Sequence, residues 1–161
     1  MKNWQRYLVI ILVAVVAGGA AYGYYQYQKA HSSSSDTAQV RIIVAGLGDN
    51  LVKVPLIAPS NVVDFAMDQY YAQYVRPDLL SAWKNDPMSA PGRLTSSPWP
   101  DSIEVTGITK RDTDTYVVNA SIIEVAHGAS GTTTETVSKD PVSFTLSRGP
   151  DGWQISGYEK R

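Results

Sequence analysis

The side chains able to do acid–base work are few and scattered. Asp64 and Asp68 stand four apart in "PSNVVDFAMDQYYAQYV", beside Tyr70 and Tyr74, and Glu124 follows far downstream in "SIIEV". An acid and tyrosines projecting into an apolar cavity are the equipment of a proton-transfer isomerase, since burial moves a carboxyl's pKa toward neutrality. Acids early in a helix, however, commonly complement the helix dipole and face water. A hydrolase triad needs a base. The two histidines are His31, in a serine-rich stretch, and His127, beside "GASG", and neither has a companion in the sequence. No cluster has the spacing of a zinc site. The expectation is a chain with no catalytic residue, no metal and no cofactor, and hence not an enzyme.

A second group worth weighing is "SAPGRLTSSPWPD", residues 89–101, which sets Arg93 and Trp99 among three prolines. Pro91-Gly92 suits the centre of a type II turn, with the glycine supplying a positive φ. Ser97 and Trp99 each precede a proline and are pushed toward extended conformations. Pro98 and Pro100 lack backbone donors, which predicts that the sheet begins at Ser102. Such a stiff segment orders a chain crossing, with Trp99 as an apolar plug and Arg93 within reach of Asp86, Asp101 and Glu104. The functional alternative makes Arg93 and Trp99, with Tyr70 and Tyr74, the lining of a binding site.

Other motifs are weaker. "GLG" at residues 46–48 lacks the third glycine of a dinucleotide fingerprint, because Leu51 stands there, so Gly46 and Gly48 are expected to loosen or end a helix. Asn119-Ala-Ser121 matches a glycosylation acceptor but falls within a strand-like run.

The remaining constraints come from composition. The chain has 161 residues, 43% of them hydrophobic and 18% charged, which suits one domain plus an anchor. A net charge of -1 offers nucleic acid no bulk attraction. With no cysteine, stability must come from packing, without disulfides or thiolate sites.

The elements that would position these groups can be read in order. "YLVIILVAVVAGGAAYGYY", residues 7–25, carries no charge and at 1.5 Å per residue reaches roughly 28 Å, about one hydrocarbon thickness. Trp4 and Tyr7 flank one end and Tyr22, Tyr24, Tyr25 and Tyr27 the other, as in an aromatic belt. Lys2 and Arg6 before the span predict a cytoplasmic stub at 1–6 and an extracytoplasmic C-terminal domain. The competing reading is a cleaved signal peptide, with small residues Gly19 and Ala21 at the cleavage site and the product secreted. Gly19 and Gly23 form one small-xxx-small pair, which in a membrane helix is common by chance. Residues 26–37, with four consecutive serines, predict a flexible linker.

The domain expected over 38–161 opens with an amphipathic helix on Val40, Ile43, Val44, Leu47, Leu51 and Val54. A second helix starts at a Ser60 or Asn61 cap, with Asp64 in its first turn and Val63, Ala66, Met67, Tyr70, Tyr71 and Tyr74 on its apolar side. A third has Pro77 at its first position and ends at Asp86-Pro87, with Leu79, Leu80 and Trp83 on one side. The period then changes to two: "SIEVTGITK", "TYVVNASIIEVAH", "TTTETVS", "VSFTLSR" and "GWQISGYEK" read as four to five antiparallel strands joined by short turns. Val142, Phe144 and Leu146 should face the core, with Ser143 and Thr145 in water. Helices followed by a meander make an α+β domain with a curved antiparallel sheet wrapping the helices.

This order of elements resembles the nuclear-transport-factor-2-like cone, over residues 38–161. "YVRPDLLSAWKNDPMSAPGRLTSSPWPDSIEV" (residues 74–105), with "IIEV" and "GWQISGYEK", is similar to a family of uncharacterised bacterial membrane-anchored or exported proteins. The resemblance implies the cone and the membrane setting, and it implies no chemistry. Two roles then compete. One is a non-catalytic membrane-anchored domain whose partners are the lipid bilayer and another envelope protein or itself, with no nucleic acid; the other is a small-molecule binder or isomerase using the cone's cavity, decided by whether polar groups converge there.

Overall fold

The computed structural model describes residues 34–128 and 133–161. The expected stub 1–6, the span 7–25, His31 and most of the linker lie outside the described residues. Among the described residues no helix is long and apolar enough to cross a membrane. The chain divides at Ala38/Gln39, and Gln39–Arg161 forms one compact unit.

The first helix, α1, covers 34–48 and so includes the last four residues of the expected linker. Its Val40, Val44 and Leu47 are fully buried, the 3.6-residue period that the sequence predicts. Asn50 ends it: its side-chain amide donates to the Gly46 carbonyl at 2.7 Å, and Lys53 Nζ donates back to Asn50 Oδ1 at 2.9 Å. These bonds occupy a carbonyl that a helix C-terminus would otherwise leave open. A 3₁₀ turn at Leu51–Lys53 follows.

Helix α2 spans Ser60–Tyr70 and buries Val63, Ala66 and Met67. Its cap is Pro59, not Ser60 or Asn61, and Asp64 lies beyond its first turn. Proline's fixed φ directs the chain into the helix without a side-chain bond. Helix α3, Pro77–Asn85, has Pro77 in its first turn and stops at Asp86, as expected, with Leu80 and Trp83 buried. The turn between them docks on the last strand: Val75 bridges Ile155, and Ile155 N–H donates to the Tyr74 carbonyl at 2.8 Å.

Four strands, β1 (Trp99–Lys110), β2 (Thr115–His127), β3 (Thr134–Gly149) and β4 (Gly152–Lys160), pair antiparallel in chain order. The two segments around Asp140-Pro141 are one continuous strand. Ser121 faces Pro141 on the β2 side, while on the β4 side pairing begins only at Val142–Lys160. The Pro141 carbonyl accepts from Arg161 N–H at 3.0 Å, so its missing N–H also points where β4 is running out. A ladder tolerates proline there. The sheet also starts earlier than expected, at Trp99, because β1 is an edge strand and a register shift between Pro100 and Ser102 accommodates the proline. Further shifts at Val105/Gly107, Glu124/Val125 and Thr145/Leu146 each bend a strand. The β3–β4 turn is Pro150-Asp151, with Gly152 at φ 113.

The helices cover the inner sheet face. Tyr116, Val118, Phe144, Leu146 and Ile155 are at or below 2% exposure, each worth about 1.5–3 kcal/mol of transfer free energy. Trp83 sits edge-on between Tyr71 and Tyr158, with both ring centroids at 6.0 Å. The outer face is not wholly wet: Ser143 is only 7% exposed. It lies opposite Asn119 and Glu159 on the flanking strands, and those neighbours screen its small side chain.

Candidate functional site

The sequence-level site residues are not brought together. Tyr70 is half-buried with Lys53 Nζ 5.3 Å from its ring centroid. Tyr74 lies against α1, where a Cβ at Gly46 would come within 2.6 Å of its ring. Trp99 is half-buried against exposed His127, the centroids 4.9 Å apart. It is therefore a partial plug at the start of β1. Arg93 is held through its backbone, bridging Pro55: its N–H donates to the Val54 carbonyl and its carbonyl accepts from Leu56 N–H, both at 2.9 Å. Glu104, offered above as its partner, pairs with Lys139 at 2.7 Å. Of the acids on α2, Asp68 pairs with Lys84, and Asp64 Oδ1 is buried without a hydrogen bond.

The type II turn at Pro91-Gly92 is not formed, because Gly152 is the one glycine with positive φ among the described residues. Gly92 is needed for space instead. A Cβ there would lie 2.9 Å from Leu56 Cγ and 3.0 Å from the Val54 carbonyl oxygen. The crossing can therefore lie flat against residues 54–56.

That close approach builds one wall of a cavity of about 300 Å³. Leu56, Pro91, Gly92, Leu94 and Pro100 form the apolar wall, and Ile122, Val142 and Tyr158 the floor. The opposite ledge is charged, with Glu124, Asp140, Lys160 and Arg161. Its order follows from the sheet register. Glu124 faces Ser138, Ile122 faces Asp140, and Val142 faces Lys160. Asp140 therefore lies between Glu124 on β2 and Lys160 on β4, within the diagonal reach of neighbouring strands, roughly 7–8 Å.

Ser138 Oγ donates to Glu124 Oε2 at 3.2 Å. Lys160 Nζ reaches across the mouth to the Met88 carbonyl at 3.4 Å. Neither Glu124 nor Asp140 is in an ion pair among the described residues. Beneath them, the Tyr158 hydroxyl is buried without a partner. Burial first, and the Asp140 carboxylate second, push its pKa up to about 12. The phenol thus stays neutral near pH 7. Tyr71 behind it donates to the Pro91 carbonyl at 2.7 Å, which pins the wall to the helix layer. Burial raises its pKa too.

Only Glu124 among the acids weighed in the sequence lines this cavity. Asp140 and Tyr158 carry no motif. Their signal was strand alternation through "KDPVSF" and "SGYEK", legible only once Pro141 is accepted within a strand. Among the described residues no three His, Asp or Glu side chains group as a metal site.

Fold and pocket together define an α+β domain with helices packed on an antiparallel meander and a part-charged cavity at one end of the sheet. Among solved structures the chain is similar to an NTF2-like protein with a cystatin-like fold from Novosphingobium aromaticivorans, at 10% identity over 84% of each chain and a TM-score of 0.41. It is also similar to the intermembrane space region of the chloroplast protein ARC6, at 13% identity over 71% of this chain and 90% of that one, with a TM-score of 0.37. No family model and no curated protein matches the chain.

Proposed function

We propose that this chain is a non-catalytic, membrane-tethered domain that binds a small molecule in the cavity between the 87–100 crossing and the sheet. The observation that carries the reading is that Glu124 and Asp140, neither of them in an ion pair among the described residues, line one cavity together with Leu56, Leu94, Ile122 and Val142. A few polar groups in an apolar concavity are the usual make-up of a ligand site. The tether rests on the uncharged run 7–25 and its aromatic flanks; the alternative is export after signal cleavage. The family tie to bacterial membrane-anchored or exported proteins belongs to the same proposal.

The test is a fragment screen by amide NMR on the isotope-labelled full-length chain, using neutral, acidic and basic apolar fragments. Shifts should cluster at Ile122, Glu124, Asp140 and Tyr158. Shifts confined to other faces, or none, would overturn the pocket reading.

A second reading, docking of an envelope protein, is favoured by Ile57, in the turn before α2, and by Val62 and Phe65 within that helix, which are 71%, 43% and 68% exposed. Neighbouring apolar side chains left in water are a common mark of a protein contact.

A further inference from the structure

The cavity's charges are laid out unevenly, and this bears on what enters it. Both acids stand on the β2–β3 side of the ledge, diagonal to each other, and line the same cavity as Leu56 and Leu94. The cations, Lys160 and Arg161, stand at the last residue of β4 and just past it. Lys160 is turned across the mouth to the Met88 carbonyl, and Arg161 lies beyond the last β3–β4 pair. The acids are thus left to an incoming group. The Tyr158 hydroxyl below them is buried and makes no hydrogen bond.

Resting on the pocket reading above, we infer that the ligand is an organic cation, a primary ammonium on an apolar chain, with the ammonium between Glu124 and Asp140 and the chain against Leu56, Leu94 and Ile122. The geometry supplies each part. An ammonium has three donors and no acceptor, and the carboxylates of Glu124 and Asp140 on the cavity lining supply acceptors for it. Two like charges on adjacent strands are unfavourable when alone and favourable around a cation. A carboxylate ligand placed between Glu124 and Asp140 would stand against two like charges. A neutral alcohol would gain the wall and lose the charge-assisted bonds.

The experiment titrates the full-length chain with n-hexylamine, hexanoate and 1-hexanol, following the amides of Ile122, Glu124, Asp140 and Tyr158. Hexylamine should bind at least about tenfold more tightly than either of the others, the scale of one charge-assisted bond. Glu124→Gln with Asp140→Asn should bring hexylamine affinity down to that of 1-hexanol. The two substitutions are nearly isosteric, and the unshifted amides of α2 and α3 report that the fold is intact. If all three compounds shift the pocket amides equally, or hexanoate binds best, the ammonium inference falls while the pocket reading stands. If none shifts them, the pocket reading falls too. Hexylamine affinity that survives the double substitution would also overturn the inference, since the acids would then not be its receptor.

Discussion

Gly46 and Gly48 sit two apart in one helix and do different work. A Cβ on Gly46 would strike the tip of the Tyr74 ring at 2.6 Å, whereas one on Gly48 would strike the Ile103 backbone nitrogen at 2.7 Å. Tyr74 is half-buried and its ring has room to swing; a strand backbone does not. Alanine is worth about 1 kcal/mol over glycine within a helix, and overpacking costs about 1–3 kcal/mol. Gly46→Ala should therefore come out near neutral, and Gly48→Ala should destabilise by about 1–2 kcal/mol. Urea midpoints of the two variants check this, and equal losses would contradict the distinction. The sequence marked both glycines as exceptional but not why, because close approach between α1 and β1 is a tertiary property. The prolines around Trp99 predict a restricted ring but not how far it is buried, because that depends on its contact with His127 of the neighbouring strand β2.

The helices were legible because their signals are local: the 3.6-residue stripe of Val40, Val44 and Leu47, and the prolines at either end of α3. The strands were legible in number to within one. The error fell at Asp140-Pro141, where proline's rule against strands yields to an edge position that no local pattern reports. That position matters for the site, since it puts Asp140 on the inner face beside Glu124. At the interface between the helix layer and the sheet, Tyr71 and Tyr158 meet Trp83 from both sides, and both phenols resist ionisation. The unfolded chain ionises tyrosine near pH 10. Because the folded values are raised, their stabilisation is complete below about pH 10 and is lost as pH climbs toward the folded value of about 12 for Tyr158. Thermal midpoints should fall steeply above pH 10. Tyr158→Phe, which removes a hydroxyl without a partner, should change little at pH 7 and make that fall shallower. An unaltered alkaline slope in Tyr158→Phe would place the effect elsewhere.

For the whole chain, the proposed tether makes a plain topological demand. Lys2 and Arg6 precede the uncharged run, so the domain should lie outside the membrane they stay behind. Protease added to intact spheroplasts should cleave it; protection until lysis would reverse the orientation, and release into the medium would favour a cleaved signal. The order of elements has a further consequence, for synthesis. The chain emerges N-terminus first, helices before sheet. Val40, Val44, Leu47, Met67, Tyr71 and Trp83, all buried in the finished domain, leave the ribosome before β2, β3 and β4 exist to cover them. The meander itself closes by successive hairpins between neighbours in sequence, which are quick to form. The vulnerable interval is thus the wait for the sheet, during which a string of apolar helix faces has only itself and whatever chaperone is at hand.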